Sequence, residues 1–169
     1  MEHLAQPANP AARVLELAAE KFGVPPDLAL AIGWQESRWN PYAKGKLDEI
    51  GLMQLRPGTA RALGFDGPIK QLYNMELNAH LGVEYLRDQL RRYDGNVPKA
   101  VSAYNAGHAT TSNRPYVASV LYTAELLRRA RRRAKIKAWA IPILTGVVLG
   151  LLTEVGSSTR GTDETVESA

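Results

Sequence analysis

The chain has 169 residues, 45% of them apolar and 22% charged, a composition that excludes wholesale disorder and fits a folded globular protein. Cysteine is absent, which removes disulfides, thiolate zinc sites and cysteine nucleophiles together. The formal charge of +4 is unevenly spread: residues 1–127 carry 13 bases and 13 acids, residues 128–137 seven bases and no acid, and residues 138–169 one base against four acids.

Asn9 and Pro10 are a cap and first-turn pair for a helix over Ala11 to Phe22, with Val14, Ala18 and Phe22 on its apolar stripe and Gly23 as its stop. Pro25, Pro26 and Asp27 open a second helix, Leu28 to about Trp39, which Pro41 ends. Its first half, Leu28 to Trp34, is apolar on every side and predicts a central place in the core. A loop over 40–50 leads to a short helix, Thr59 to Leu63, closed by Gly64. Beyond a second loop at 65–73, Asn74 caps a long amphipathic helix, Met75 to Tyr93, with Leu77, Leu81, Leu86, Leu90 and Tyr93 facing inward. Asn96 and Pro98 begin a helix that reaches Asn105, and Gly107 breaks it. After a loop at 106–113, Ser112 to Pro115 start a last helix that runs into the basic cluster. No alternating strand pattern of useful length occurs, so the fold class expected is all-α.

Ala138 to Thr153 is a run of 16 uncharged, mostly apolar residues, behind a block of seven bases and ahead of a polar tail. As a helix it spans roughly 24 Å, and Ile136 to Val155 reaches roughly 30 Å if Lys137 and Glu154 snorkel. One more core helix is the alternative, but the run has no polar face and a Trp at its edge, so a single transmembrane helix is expected. Met1 to Pro10 is polar and is not expected to act as a signal peptide.

The second helix carries the most informative residue. Leu28, Ile32 and Glu36 follow one another at i, i+4 and i+8, so Glu36 continues a stripe that points into the core. Burial disfavours the ionised carboxylate, and a carboxyl that stays protonated near neutral pH can protonate a leaving-group oxygen. Alternatively the helix ends near residue 35 and Glu36 meets water beside Arg38.

Glu36-Ser37 is followed by Trp39-Asn40-Pro41, then Gly51-Leu52-Met53-Gln54, and later by Ala103-Tyr104-Asn105-Ala106-Gly107, with Asn78, Gly82, Tyr85 and Leu86 in the long helix between. This ordered set resembles the lytic transglycosylases of the soluble-lytic, goose-lysozyme-like type, over about Ala12 to Leu127. The resemblance implies a compact lysozyme-like helical domain acting on peptidoglycan glycan strands. It also implies Glu36 as sole catalytic acid and base, cleaving between N-acetylmuramic acid and N-acetylglucosamine and closing a 1,6-anhydro ring without consuming water. It assigns Ser37, Met53, Gln54 and Asn105 to the substrate cleft, and Tyr116 to a hydrogen bond with Glu36.

The residues themselves allow physical readings beside it. Gly51 permits a turn or a close approach to a sugar, Met53 supplies soft apolar contact, and Gln54 offers both a donor and an acceptor. Tyr104 and Asn105 end their helix as candidate sugar contacts. Trp34, Trp39, Tyr42, Tyr104 and Tyr116 offer flat faces to pyranose rings or, as expected for Trp34 and about half of the others, to the core. Asp48-Glu49-Ile50 departs from the small residues usual before Gly51. A second carboxylate there, Asp48 or Glu49, would make a hydrolysing lysozyme the alternative reaction. His108-Ala109-Thr110 departs from the family pattern after Gly107. A third reading is a non-catalytic, membrane-anchored glycan-binding or structural virion protein.

His3, His80 and His108 show no metal-ligand spacing and no nucleotide-binding fingerprint is present, so neither metal nor cofactor is expected. The organisation read from the sequence is an N-terminal extension at 1–11, a catalytic domain at 12–127 and a basic juxtamembrane segment at 128–137. A transmembrane helix at 138–155 and a polar acidic tail at 156–169 follow. The expected partners are glycan strands and membrane lipid, with no specific nucleic acid, because an arginine run beside an apolar span is the simpler match for anionic lipid. Positive charge before the span and negative charge after it put the domain on the cytoplasmic side, the wrong side for the wall. A virion membrane, with delivery of the domain to the wall by a phage, is the expected resolution, and a bacterial inner membrane the other location.

Overall fold

A computed structural model describes the backbone of residues 9–157 and the side chains of residues 9–136. Helix α1 spans Pro10–Phe22; Asn9 Oδ1 accepts from the Ala11 amide at 2.9 Å, and Gly23, at φ 66°, closes the helix in the left-handed region. Its buried stripe is Ala11, Leu15, Ala18 and Ala19, one step around from the expected one, and leaves Val14 and Phe22 half-buried.

Helix α2, Pro26–Ser37, buries every residue from Leu28 to Gly33, the central placement its unbroken apolar run predicts. It stops two residues earlier than expected. Arg38 and Trp39 both take left-handed φ values, 56° and 62°, and the chain doubles back. The turn delivers the Trp39 indole into the core, 5% exposed, with Nε1 donating to the Leu30 carbonyl at 3.0 Å and its ring edge-on to Trp34 at 5.1 Å. A buried, hydrogen-bonded indole offsets the strain of two non-glycine residues at positive φ. Trp39 is thus core, while Trp34, expected in the core, is half-buried against it with the Arg38 guanidinium 4.8 Å above its ring.

The loop beyond is pinned by two isolated antiparallel bridges, Lys44 with Ile50 and Ile50 with Leu55, and no strand forms among the described residues. Helix α3 is Pro57–Ala62, and the expected loop at 65–73 holds a 3-10 helix, Ile69–Tyr73, that buries Leu72. Helix α4, Met75–Arg92, is capped by the Asn74 side chain on the Leu77 amide and packs on α1 and on α5, Val97–Ala106. Leu81 and Leu86 are buried as expected, whereas Leu77, Leu90 and Tyr93 are half-buried. Helix α6 runs Arg114–Ser157.

The chain divides into two units, Met1–Arg129 and Ala130–Ala169, with the boundary inside the basic segment. The described backbone of the second unit is helical to Ser157. Among the described residues no helix is long and apolar enough to cross a membrane. The expected transmembrane helix at 138–155 falls where α6's side chains lie outside the described residues, as do residues 1–8 and the tail from 158 onward.

Candidate active site

Glu36 sits in the last turn of α2, on the stripe below which Leu28 and Ile32 are buried. The helix end is tied down by Ser37, whose Oγ reaches the Leu52 carbonyl at 2.8 Å and the Gly33 carbonyl at 3.2 Å. From the start of α6 the Tyr116 hydroxyl donates to Glu36 Oε1 at 2.5 Å. Burial is the chief reason the Glu36 carboxyl is pushed up to about 7; the Tyr116 hydrogen bond pulls it down and the nearby Glu49 charge adds to the rise. Burial, the Glu36 charge and the hydrogen bond to Glu36 together raise the Tyr116 phenol, so it remains a neutral donor.

The turn from Gly51 to Gln54 forms one side of the site. Gly51, at φ 77°, donates its amide to the Ala43 carbonyl at 2.8 Å, and a Cβ there would lie 2.6 Å from Asn78 Nδ2 and 2.7 Å from the Leu72 carbonyl. Its glycine is therefore demanded by the turn's left-handed conformation and by protein packing. Asn78, fully buried on α4, satisfies three backbone groups around this turn. Its Oδ1 accepts from the Met53 amide at 2.7 Å, and its Nδ2 donates to the Ile50 and Leu72 carbonyls, both at 2.8 Å. Met53 is 0% exposed and packs against Gly82. Gln54 is held by Nε2 bonds to the carbonyls of Gly51, 3.0 Å, and Ala43, 3.2 Å.

Helix α5 supplies the facing residues. The Tyr104 hydroxyl donates to the Met53 carbonyl at 2.9 Å, joining α5 to the turn, and burial raises this phenol well above its ordinary range. Asn105 Oδ1 accepts from Asn113 at 3.1 Å. The loop after Gly107 is anchored at Ser102, whose Oγ lies 3.0 Å from the Thr110 carbonyl and takes the Thr110 amide at 2.9 Å. Asn113 bonds the Ser102 carbonyl at 2.9 Å and Tyr93 caps the Ala109 amide at 2.9 Å. This cross-bracing holds the divergent His108-Ala109-Thr110 segment in place.

A cleft of about 480 Å³ brings together Glu36, Glu49, Gln54, Arg56, Thr59, Tyr85, Tyr104 and Asn105. Of the expected site residues, Glu36, Gln54, Tyr104 and Asn105 line it. Ser37, Gly51 and Met53 are not among its lining: Gly51 and Met53 are buried in the adjoining turn, and Ser37, half-buried, ties the end of α2 to Leu52. Tyr116 reaches Glu36 without lining the cleft. Tyr42 is 77% exposed and outside it. The two extra carboxylates part company. Asp48 is solvent-exposed and paired with Lys44 at 3.3 Å, whereas Glu49 lines the cleft. Glu49 Oε1 takes Arg56 Nε at 3.1 Å and Nη2 at 3.0 Å, and Oε2 takes the Leu47 amide at 2.9 Å. Burial works to raise the Glu49 carboxyl, but backbone amides and the Arg56 guanidinium outweigh it and hold it below the usual range. Arg56, Thr59 and Tyr85 were not among the candidate site residues. Only Tyr85 had a signal, its place in the helix between the motifs, and Arg56 and Thr59 come alongside Glu36 through the fold alone. Among the described residues no cluster of His, Asp and Glu could hold a metal ion.

The sequence model of the family described as Transglycosylase SLT domain matches residues 13–116. Peptidoglycan transglycosylase gp16 of Escherichia phage T7 is 37% identical over 103 residues, 59% of this chain and 8% of that protein. Soluble lytic murein transglycosylase of Escherichia coli (strain K12) is 37% identical over 91 residues, 50% of this chain and 14% of that protein. In three dimensions, an inactive mutant of lytic transglycosylase Slt from Pseudomonas aeruginosa matches with a TM-score of 0.64 at 27% identity, covering 71% of this chain and 24% of that one. The chain thus spans less than two thirds of the length of each of these relatives.

Proposed function

The chain belongs to the transglycosylase SLT domain family, with its all-helical, lysozyme-like fold, and on that premise we propose that it is a peptidoglycan lytic transglycosylase with Glu36 as its single acid and base. The observation that carries the reading is Glu36 itself, a carboxyl in a cleft, held by the Tyr116 hydroxyl at 2.5 Å and pushed up to about 7. Such a group is about half protonated at neutrality and mostly protonated below it, and can give its proton to the oxygen linking N-acetylmuramic acid to N-acetylglucosamine. The substrate's own acetamido group then stabilises the anomeric centre, one of the recognised exceptions to the two-carboxylate scheme. The Glu36 carboxylate takes the proton from the muramyl 6-hydroxyl as that oxygen closes the 1,6-anhydro ring. The proton lent in the first step is recovered in the second, and no water is consumed. Gln54, Tyr104 and Asn105 contact the glycan, Gly51 and Met53 shape the turn that carries Gln54, Ser37 fixes the helix end beside Glu36, and Tyr116 orients the carboxyl.

The hydrolytic alternative needs a second carboxylate free to activate water. Glu49 is in the cleft, but its oxygens are occupied by Arg56 and the Leu47 amide and it is a weakened base, which favours the lyase reaction. Asp48 is turned to Lys44. Mass spectrometry of digested peptidoglycan tests the reaction: 1,6-anhydro products are expected, and reducing-end products in their place would establish hydrolysis. Glu36→Gln is expected to lower the rate by about 10²–10⁴-fold. Retention of activity would overturn both reactions and leave a glycan-binding role.

The reading extends to location. The seven bases at 128–137 and the apolar run at 138–155 support a membrane anchor whose charge pattern leaves the catalytic unit on the cytoplasmic face. Delivery by a phage virion resolves that conflict, and the likeness to a phage T7 protein supports it. Recovery of the chain in purified particles is the expected result; exposure of the domain to periplasmic protease in uninfected cells would contradict it.

A further inference from the structure

We propose that the Glu49–Arg56 pair is a charge-setting device for Glu36: Arg56 and the Leu47 amide hold Glu49 as a fixed anion in the cleft, and that anion disfavours a second negative charge on Glu36. The inference rests on the reading of Glu36 as acid and base, and makes Glu49 a positioning residue that acts through it.

The two carboxylates share one cleft but not one environment. Glu49 receives two N–H bonds from a guanidinium, at 3.0 and 3.1 Å, and a backbone amide at 2.9 Å, all donated to the ionised form. Glu36 receives a single bond, from a neutral phenol, and has no cation within ion-pair distance among the described residues. Where two carboxyl groups feel one another, the one supplied with donors and a cation ionises and the other keeps its proton.

The other groups around Glu36 leave this division standing. Tyr116 from α6, Tyr104 from α5 and Tyr85 from α4 all have phenols raised by burial and carry no charge where the enzyme works. Arg38, just past α2, is stacked on Trp34, and Asp48 is engaged by Lys44. The remaining charges at the cleft are Glu49 and Arg56, and the Glu49 field reaches Glu36, adding to the rise produced mainly by burial. Arg56 is bound to that carboxylate, so it keeps Glu49 ionised and at the same time dampens its field.

The pair therefore makes opposite predictions for its two members. With the full-length chain and purified peptidoglycan, the pH profile of each protein is normalised to its own maximum, and its alkaline limb reports loss of the Glu36 proton. Glu49→Gln is expected to move that limb to lower pH. Arg56→Met removes the cation that dampens the Glu49 field while the Leu47 amide still favours the Glu49 anion, and is expected to move the limb to higher pH. The double variant Glu49→Gln with Arg56→Met is expected to follow Glu49→Gln, and it also serves if either single variant fails to fold. A merely structural pair would lower the whole profile in every variant without moving the limb, and that result would overturn the inference. Active Glu49 variants with the wild-type limb overturn the inference alone, whereas an active Glu36→Gln overturns the acid–base reading beneath it.

Discussion

At the scale of single residues, Glu36 carries a cost that the rest of the fold supports. Its carboxyl stands on the stripe of a helix whose other members are core, so the same burial that makes it an acid near pH 7 makes ionisation unfavourable. The folded pKa lies above the unfolded value of 4.5, so between 4.5 and about 7 the folded chain holds a proton that the unfolded chain has released. Stability is therefore lost as pH rises through that window, at about 1.4 kcal/mol per unit. Glu36→Gln cannot ionise and is expected to escape the loss. Urea midpoints of wild type and variant should keep one separation below pH 4.5 and diverge in the variant's favour towards pH 7. A separation independent of pH would mean that the carboxyl is as well solvated folded as unfolded. Asn78 shows the opposite economy, one buried side chain satisfying three backbone groups that would otherwise be orphaned.

At the scale of elements, the site is made by α4 pressing on the turn from Gly51 to Gln54. Asn78 and Gly82 are one helical turn apart on the same face; the first bonds the turn and the second lets it approach. A Cβ at Gly82 would stand 2.5 Å from Met53 Cβ and 2.6 Å from its Cγ, atoms at the root of a fully buried side chain with no room to rotate away. Alanine is worth about 1 kcal/mol over glycine in a helix interior. The overlap, which costs about 1–3 kcal/mol, is expected to outweigh that gain. Gly82→Ala should therefore be less stable by about 1 kcal/mol in chemical denaturation. Its activity should fall further than its stability, because Met53 adjoins Gln54 and accepts the Tyr104 hydroxyl. A gain in stability would show that the turn yields easily. The early end of α2 has the same logic. Gly33 lies between Leu15 of α1 and Trp39, where a Cβ would stand 2.6 Å from Leu15 Cδ1 and 3.3 Å from the indole, so the missing side chain leaves room for α1 and for the returning chain together.

At the scale of the whole molecule, the +4 charge belongs to one segment and not to the cleft. The bases that create it lie in a ten-residue block, and residues 1–127, which include every residue of the cleft, are balanced. Basic residues at an anionic surface contribute about 1 kcal/mol each and are screened by salt, whereas an inserted apolar helix is not. Full-length chain mixed with phosphatidylglycerol vesicles is therefore expected to float with them even in molar salt. A variant lacking 138–155 is expected to bind only at low salt. Release of the full-length chain by salt would remove the anchor and leave a purely electrostatic association.

The order of helices α1 to α5, the helix-ending glycines at 23 and 107, the side-chain caps at Asn9 and Asn74, and Glu36 as the acid on the apolar stripe of α2 were legible in the sequence, whereas the 3-10 helix at Ile69–Tyr73 was not. Each legible feature depends on local spacing or on the chemistry of one residue type, which an unfolded chain already carries. The ordered motifs also identified the family before any contact was known. Tertiary structure alone decided which aromatic is core, since Trp39 is buried by a reversal of chain direction that helical periodicity does not encode. It alone showed that Gly51 and Met53 are buried in the packing of the turn beside Gln54, and added Arg56, Thr59 and Tyr85 to the cleft. It also separated Asp48 from Glu49, neighbours in sequence and equal in chemistry, by giving one to solvent and Lys44 and the other to Arg56 and the cleft. The physical reason is the same in each case: sequence sets what a side chain can do, but the neighbours that bury it, charge it or occupy its hydrogen bonds come from distant parts of the chain.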